Sequence, residues 1–431
     1  MDLLVNLSRV LRYRQLKLSV FVSGMAMLVA AGCNSSAGPV GKDSSQPATV
    51  QGASMFPAIP GNHFELKCQA CYGRFKIDGD NIPSQRMAVC PNCGFGNNTI
   101  SPTEKKQSSV LSVDKIVEPI ERWDVVAFTI PKRLQSGGVK GVKRVVGLPG
   151  ESVRISGGEI VVDGKIAACD FEQKREMLIA VHDNQFLPLT VVSRWVAEEG
   201  WEKTGRSWDF APQKSGGKMR WLTYLQKRNY RKGAGSAETI AIQDIYPCNQ
   251  NLARSLNKVR DLVIDAEVIA GPNALMNFLF ESGADATEFE FDFTKRKVKV
   301  LRSASQLQTA GLPRIRLGEQ FRLEVSNCDR QATVAINGHV ILESEWRGAR
   351  PSSIDRAAKL SIGCKQDSVS LKRIKVFRDN YYLSQGGGDG GSWSLGSDEY
   401  LLLGDNGPVS VDSRQFGPIS ETNIIGLINL N

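Results

Sequence analysis

The sequence predicts a mainly β protein: a small β core interrupted by a zinc ribbon and by an antiparallel β-sandwich, with a membrane segment at the N-terminus. Three observations predict this fold. Alternating apolar and polar runs recur through the middle of the chain, two Cys-x-x-C pairs stand near its start, and an uncharged apolar run follows the basic N-terminal residues. Period-two alternation between turns is typical of antiparallel strands.

Length, charge and histidine content narrow the classes of function. At 431 residues and 41% hydrophobic composition, the chain is long enough for about three domains. Its net charge of +9 is spread without a basic block, which indicates mild attraction to an anionic membrane surface. No basic-aromatic pattern indicates nucleic acid. Because His63, His182 and His339 lie far apart, a base other than histidine is the more attractive candidate for serine catalysis.

The N-terminus predicts export. Residues Leu18 to Gly32 carry no charge and follow Arg9, Arg12, Arg14 and Lys17, a flank that keeps the N-terminus inside. This run is shorter than the about 20 residues of a full span and ends in small residues before Cys33. Residues 1–33 are therefore either a membrane anchor or a lipoprotein-type signal with lipidated Cys33. Residues 34–50, rich in Ser, Gly and Pro, predict a polar tether.

A small-residue turn carries a single serine. Residues 51–66 form a predicted serine loop that contains GASMFPAIPG, residues 52–61, with Ser54. A serine hydroxyl is a poor nucleophile, so catalysis would require a base elsewhere and donors for an oxyanion. On this turn alone, an ordinary Gly-x-Ser bend is the simpler interpretation.

Residues 67–99 predict a zinc ribbon. Two Cys-x-x-C pairs are separated by 18 residues: Cys68, Cys71, Cys90 and Cys93. Each pair can form a knuckle, and four thiolates complete a tetrahedral zinc site with no open position. The metal would then be structural, and catalysis would need no cofactor. Disulfides are the alternative, because an exported location favours them.

Residues 100–168 predict the β core with a lysine in an apolar strand. Lys143 has the β-branched neighbours Val142, Val145 and Val146. Burial would lower the pKa of its amine from about 10.4 toward neutrality and make it a general base. The alternative is a solvated lysine on the opposite face of the strand. A hairpin pattern over residues 151–162 completes this unit.

Residues 169–391 predict the β-sandwich, because alternating runs recur there, for example at 289–293, 321–325 and 371–376. Four tryptophans precede these runs: Trp195, Trp201, Trp208 and Trp221. They are either a platform for carbohydrate or, more commonly for such residues, part of the core.

Residues 392–431 return to a core-like pattern. An apolar strand ends in Gly404, and the segment 410–414 reads Ser-Val-Asp-Ser-Arg. Asp412 and Arg414 are spaced to pair, and Ser410 could hydrogen-bond a buried amine. Ordinary loop polarity explains the same residues.

Taken together and in this order, the segments resemble bacterial type I signal peptidase, a membrane-bound Ser/Lys protease. The matching blocks are GASMFPAIPG for the serine box, VKRVVGLPGESV for the lysine box and LLLGDNGPVSVDSRQFGPI for the C-terminal box, with WDVVAF before the lysine strand. They cover about 100 residues, in pieces separated by the ribbon and the sandwich. Their joint occurrence is more specific than any one of them.

The resemblance implies a signal-peptidase-type β core on the outer, periplasmic face of the cytoplasmic membrane, acting on signal-peptide-bearing preproteins. It implies Ser54 as nucleophile, Lys143 as base, Ser410 as orienting the amine, and Asp412 with Arg414 as bracing the site. The Ser54 Oγ–Lys143 Nζ distance is then expected at about 2.6–3.2 Å.

The sequence departs from the family pattern at three places. Gly52 lacks a hydroxyl that some members have, residues 407–409 (Gly-Pro-Val) replace a usual Arg-Asp-Asn run, and Trp123 stands where glycine is common. Gly52 therefore leaves the second oxyanion donor unassigned. From the other two departures we expect weaker bracing of the site, with the chemistry retained.

Two other functions remain open at this point. A self-cleaving repressor-type Ser/Lys protease would have a cytosolic DNA-binding helix pair, whereas this chain begins with an export segment. A membrane-tethered lectin-like binding protein would combine a carbohydrate-binding sandwich with a degenerate protease core.

Overall fold

The structure is a computed structural model that describes residues 46–430 apart from 51, 109, 131–139, 188–192, 228–237, 284, 347–358 and 384–389. The predicted membrane segment, Cys33 and most of the tether lie outside the described residues. The choice between an anchor and a lipidated Cys33 therefore stays open. In the part of the chain that the structure describes, no helix has both the length and the apolar character needed to cross a membrane.

The N-terminal part of the described chain forms short strands with a 3-10 turn at Pro102–Glu104. The strands are β1 (Gln46–Thr49), β2 (His63–Lys67), β3 (Arg74–Asp78), β4 (Met87–Ala88), β5 (Asn98–Thr99), β6 (Lys105–Lys106), β7 (Val110–Asp114), β8 (Val125–Thr129), β9 (Lys140–Gly147), β10 (Ser152–Ser156), β11 (Glu159–Val162) and β12 (Lys165–Ile166).

The middle of the chain begins with a helix and continues as longer strands, with a 3-10 turn at Pro212–Lys214. The elements are α1 (Phe171–Met177), β13 (Ile179–Asp183), β14 (Trp195–Ala197), β15 (Trp201–Thr204), β16 (Ser207–Phe210), β17 (Arg220–Tyr224), β18 (Leu262–Ala270), β19 (Leu275–Ser282), β20 (Asp285–Asp292), β21 (Lys297–Arg302), β22 (Ser305–Gly311), β23 (Gln320–Cys328), β24 (Gln331–Ile336), β25 (His339–Glu345), β26 (Lys359–Lys365) and β27 (Val369–Arg378).

The C-terminal part returns to short elements, with a 3-10 turn at Glu421–Asn423. They are β28 (Gly391–Ser394), β29 (Glu399–Leu403), α2 (Ser413–Phe416), β30 (Ile419–Ser420) and β31 (Ile424–Ile428).

The core sheet has the strand order β1-β7-β31-β8-β9-β29-β30, so N- and C-terminal strands interleave. Its pairings are antiparallel, and β9 lies between β8 and β29. Residues Val125 to Phe128 of β8 are all buried, as expected for a β-branched and aromatic run inside a sheet. A smaller sheet, β12-β11-β10-β28, packs Val153 and Ile155 against Leu401 and Leu403 of β29. This arrangement brings segments far apart in sequence to the two sides of β9.

The sandwich consists of one sheet ordered β15-β16-β27-β18-β23-β24-β25, with β13 also pairing β27, and a second ordered β14-β17-β26-β19-β20-β21-β22. Strand β20 illustrates why these residues form strands. Phe289 and Phe291 are buried in the sandwich core, whereas Glu288 and Glu290 alternate with them on the more exposed face. The predicted mainly β fold class, including the antiparallel sandwich, is confirmed.

The tryptophans before the sandwich strands belong to the core more than to a surface. Trp195, Trp201 and Trp208 are buried in the sandwich core, and Trp221 is only partly buried. Buried rings cannot form an exposed stacking platform. Of the two interpretations of these residues, the structure favours core packing for the first three.

The ribbon has boundaries that differ from the predicted ones. Strand β2 lies in the predicted serine loop and β6 in the predicted core, yet they form one sheet in the order β3-β2-β6. Strands β4 and β5 pair separately. Residues 46–49, at the end of the predicted tether, form β1 and pair with β7 at the edge of the core sheet. Backbone hydrogen bonds to a neighbouring strand are available to polar residues at a sheet edge, and composition does not reveal them.

Candidate active site

The serine turn, residues 52–61, is held by its own backbone and by two apolar anchors. Met55 and Ile59 are buried against the core sheet, and Ile59 N donates to Met55 O at 2.8 Å. Gly52 has φ of +73°, a conformation that favours glycine. This backbone explains the absence of a hydroxyl-bearing side chain at position 52. Ser54 is half-buried at the start of the turn.

Lys143 of β9 meets the serine turn. Its Nζ lies 3.0 Å from Ser54 Oγ, within the expected range, and donates to Val142 O at 3.0 Å. The residue is 6% exposed. Burial lowers the pKa of Lys143 to about 8, with a further lowering by Arg414, against the opposing effect of the Asp412 and Asp405 carboxylates. A substantial fraction of the amine is therefore neutral near pH 8, as a general base requires.

Asp412 and Arg414 form the pair that their spacing predicts. Arg414 Nε donates to Asp412 Oδ1 at 2.8 Å, and Nη2 donates to Oδ2 at 2.7 Å. The carboxylate also accepts from Gly404 N at 3.0 Å. Arg414 reaches two further carbonyls, Leu383 O and Gly407 O, at 2.8 Å each. This pair ties α2 to the loop after β29.

Ser410 lies close to the serine turn but does not hydrogen-bond as predicted. Its Oγ is buried and has no hydrogen-bond partner among the described residues, and the expected bond to Lys143 is not formed. Lys143 Nζ bonds to Ser54 and Val142 instead. A Cβ at Gly404 would lie 2.2 Å from Ser410 Oγ and 2.5 Å from Ser54 O. Only glycine at position 404 allows Ser410 and Ser54 to approach this closely.

Arg144 and Asp405, which directly follow Lys143 and Gly404, form a buried ion pair that was not predicted from the sequence. Arg144 donates through Nε to Asp405 Oδ1 at 2.8 Å and through Nη2 to Oδ2 at 2.9 Å. Their side chains are 1% and 0% exposed. Burial alone would lower the pKa of Arg144, yet Asp405 raises it above its ordinary value. An arginine inside an apolar strand was the available signal, because a buried charge needs a partner.

Asn406 is a second residue that the sequence analysis missed. Its backbone N–H donates to Ser54 O at 2.9 Å, and its Nδ2 donates to Ala53 O at 3.0 Å. The residue is fully buried. Among the described residues, no acceptor takes the Ser54 backbone N–H, which is therefore available to an oxyanion. The site thus combines a hydroxyl, an amine within reach and a backbone donor.

The ribbon cysteines lie in a group that fits a metal. Cys68 Sγ and Cys93 Sγ are 3.6 Å apart, and Cys71 Sγ and Cys90 Sγ are 3.7 Å apart. All four sulfur atoms lie within 4.8 Å of one another. Tetrahedral zinc with bonds of about 2.3 Å would separate its sulfur ligands by about 3.8 Å. A disulfide requires about 2.05 Å, and the four cysteines are free. A structural metal is therefore compatible with this group, and disulfides are not formed.

The comparisons with known proteins identify the family. The family described as signal peptidase, peptidase S26, matches residues 40–200 and 327–431, which is more than half of the chain. The chain belongs to this family. The unmatched stretch, residues 201–326, contains the sandwich strands β15 to β22. No curated protein matches the sequence.

Several solved structures are similar to a part of the chain. The carbohydrate-binding module CBM66 from Bacillus subtilis is 8% identical, covers 43% of this chain and 93% of its own, and gives a TM-score of 0.26. A Bacillus subtilis protein of unknown function with a galectin-like fold is 11% identical. The match covers 47% of this chain and 94% of that protein, with a TM-score of 0.27. Caenorhabditis elegans galectin LEC-6 is 10% identical. The match covers 27% of this chain and 83% of the galectin, with a TM-score of 0.22. Likeness at this level says nothing about what the sandwich binds.

Proposed function

We propose that this chain is a membrane-bound serine endopeptidase that removes signal peptides from exported preproteins with a Ser/Lys dyad. The observation that carries the proposal is the 3.0 Å approach of Lys143 Nζ to Ser54 Oγ in a family member. The N-terminal residues 1–33 would tether the enzyme to the cytoplasmic membrane, with its site on the outer face. Confinement with a substrate whose own apolar segment is in the bilayer raises the encounter rate without new contacts.

The mechanism follows from the protonation state of the lysine. Neutral Lys143 takes the proton from Ser54 Oγ, which attacks the carbonyl carbon after a small residue of the substrate. The Ser54 backbone N–H donates to the oxyanion, an interaction worth about 3 kcal/mol in comparable sites. The lysine ammonium then returns its proton to the leaving amine. Water, deprotonated by the same lysine, attacks the acyl carbonyl, and the lysine ammonium returns that proton to Ser54 Oγ as the acyl group leaves.

An open strand edge beside Lys143 supports substrate binding as an added strand. Strand β29 pairs with β9 at Arg144, Val145 and Gly147. Among the described residues, nothing pairs with the earlier part of β9 on that side. An extended peptide could hydrogen-bond this free edge and bring its scissile carbonyl toward Ser54.

The pH dependence of cleavage tests this proposal. Because burial lowers the pKa of Lys143 to about 8, only about 1% of the amine is neutral at pH 6 and about half at pH 8. We expect kcat/KM for a preprotein to rise about tenfold per pH unit below pH 8 and to level off above it. Initial rates measured from pH 6 to 10, with Ser54→Ala as background, check this. A rate that is flat over the range would contradict the role of Lys143 as base.

We also propose that the four ribbon cysteines hold one structural zinc ion. A closed site of this kind stabilises the fold and leaves no position for substrate. Purified protein should contain about one zinc per chain. Cys90→Ser should lose the metal and lower the melting temperature, whereas Cys364→Ser, in the sandwich core, should retain it. Metal analysis and thermal unfolding measure both effects. Purified protein with disulfides at these cysteines, or without metal, would contradict the assignment.

The lectin-like alternative has less support. Trp195, Trp201 and Trp208 are buried and cannot serve as a stacking platform for carbohydrate. Carbohydrate binding by the sandwich stays a prediction from the sequence, and the dyad proposal does not require it.

A further inference from the structure

A segment of the sandwich insertion, residues 246–250, lies between the ribbon and the serine turn. On the ribbon side, Asp78 N donates to Cys248 O at 3.0 Å, and Val89 N donates to Gln250 Oε1 at 2.9 Å. Gln250 Nε2 donates back to Val89 O at 3.3 Å. We call residues 246–250 the bridging segment.

On its other side, the bridging segment reaches the residues that hold Ser54. Asn249 Nδ2 donates to Asn406 Oδ1 at 2.9 Å, and Asn406 Nδ2 donates to Asn249 Oδ1 at 2.9 Å. The two carboxamides therefore form a reciprocal pair. Asn406 Nδ2 also lies 3.3 Å from Cys248 Sγ, a fully buried atom.

Asn406 passes this constraint directly to the nucleophile. The same carboxamide donates to Ala53 O, and the Asn406 backbone N–H donates to Ser54 O. The carbonyls on either side of the Ser54 Cα are thus fixed by one residue, whose side-chain orientation Asn249 fixes. Ala53 also packs against Tyr246 and Cys248 in a common apolar cluster. Polar and apolar contacts place the bridging segment against the same turn.

We infer that Asn249 is a positioning residue for Ser54, acting through Asn406. This inference rests on the proposed function. A displacement of about 1 Å at a reacting group can cost about a hundredfold in rate, so a residue that fixes the Ser54 backbone affects turnover without touching substrate. The insertion then contributes a residue that positions the nucleophile.

Asn249→Ala tests the inference, with Asn251→Ala as the matched control. Asn251 is exposed, and its amide bonds to Asn81, away from the site. We expect Asn249→Ala to lower kcat for preprotein cleavage by about 10- to 100-fold with KM within about twofold. The pH midpoint should stay near that of the wild type, because the burial of Lys143 is unchanged. Asn251→Ala should match the wild type in every parameter.

A double-variant cycle separates positioning from a general loss of structure. If Asn249 acts through Asn406, Asn249→Ala should cost little further activity in an Asn406→Ala background. Asn249→Asp keeps the size and one acceptor but places a charged oxygen, in place of the donor, against Asn406 Oδ1, so it should fold and still lower kcat. Thermal unfolding of each variant shows that the folded protein is assayed.

The outcomes distinguish this inference from the proposed function. Ser54-dependent cleavage that is equal in wild type, Asn249→Ala and Asn249→Asp would overturn the positioning role alone. Fully additive effects of Asn249→Ala and Asn406→Ala would also overturn it. Cleavage that persists in Ser54→Ala would overturn the proposed function and, with it, this inference.

Discussion

Replacing Lys143 by methionine is expected to lower kcat/KM for preprotein cleavage by at least about 10³-fold. Methionine keeps an unbranched side chain of similar length in the buried position but cannot accept a proton, so Ser54 is left without a base. General bases contribute about 10²- to 10⁴-fold, and a nucleophile that depends wholly on its base loses more. Initial rates on one preprotein at pH 8.5, with wild type beside the variant, measure the loss.

Lys140→Met is the matched control for this variant. Lys140 begins the same strand and is exposed, so its charge should not matter to the site. We expect wild-type rates from it. Lys143→Arg should be as inactive as Lys143→Met, because a guanidinium stays protonated. Near wild-type activity in either Lys143 variant would show that another group is the base.

Replacing Arg144 by methionine is expected to lower the free energy of unfolding by about 3–5 kcal/mol. The variant leaves the fully buried Asp405 carboxylate without its bidentate partner. A loss of this size is a large fraction of the 5–15 kcal/mol that is typical of a folded domain. Urea unfolding of the variant and the wild type measures the difference.

Two further variants show whether the loss comes from the unpaired carboxylate. Arg144→Met combined with Asp405→Asn removes both charges and should recover much of the stability. Lys295→Met removes an exposed partner of Asp292 at 3.1 Å and should cost less than about 1 kcal/mol. If the double variant is no more stable than Arg144→Met, the buried charge is not the cause.

Local pattern was sufficient to predict several of the longer strands. The alternation of Phe289 and Phe291 with glutamates predicts β20, and the glycines at 157 and 158 between β-forming runs predict the hairpin of β10 and β11. Both depend on neighbours within one strand or one turn. Period-two burial and tight turns are local properties, so a single sequence reveals them.

Which strands form the ribbon sheet and the edge of the core sheet could not be predicted from local pattern. Strands β6 and β1 are short and polar, and they are strands only because β2 and β7 offer backbone partners. That information lies in the tertiary fold. The tether predicted for residues 34–50 therefore contains a strand, β1, that its composition does not reveal.

In the candidate site, too, some residues could be found from sequence motifs and others only from the tertiary fold. Ser54 and Lys143 were found because their boxes occur together, and the structure brings them within 3.0 Å. Their catalytic roles, with those of Ser410, Asp412 and Arg414, stay proposals. The Asn249–Asn406 pair had no signal, because 157 residues separate its members and Asn249 lies outside the alternating runs.

The structure shows how residues 406 and 407 are held despite the Gly-Pro-Val run at 407–409. The sequence led us to expect weaker bracing there. Arg414 donates to Gly407 O, a backbone group that any residue supplies, and Asn249 supports the neighbouring Asn406 from the insertion. Bracing from another part of the chain is compatible with a Gly-Pro-Val run at this position.

The most direct test of Ser54 as the nucleophile is the cleavage of one preprotein by wild type and by Ser54→Ala, with the new N-terminus of the product identified by mass spectrometry. We expect a single cut after a small residue at the end of the signal peptide in the wild type. We expect no product above background in Ser54→Ala. The same cut made by Ser54→Ala at the wild-type rate would contradict the assignment of Ser54 as the nucleophile.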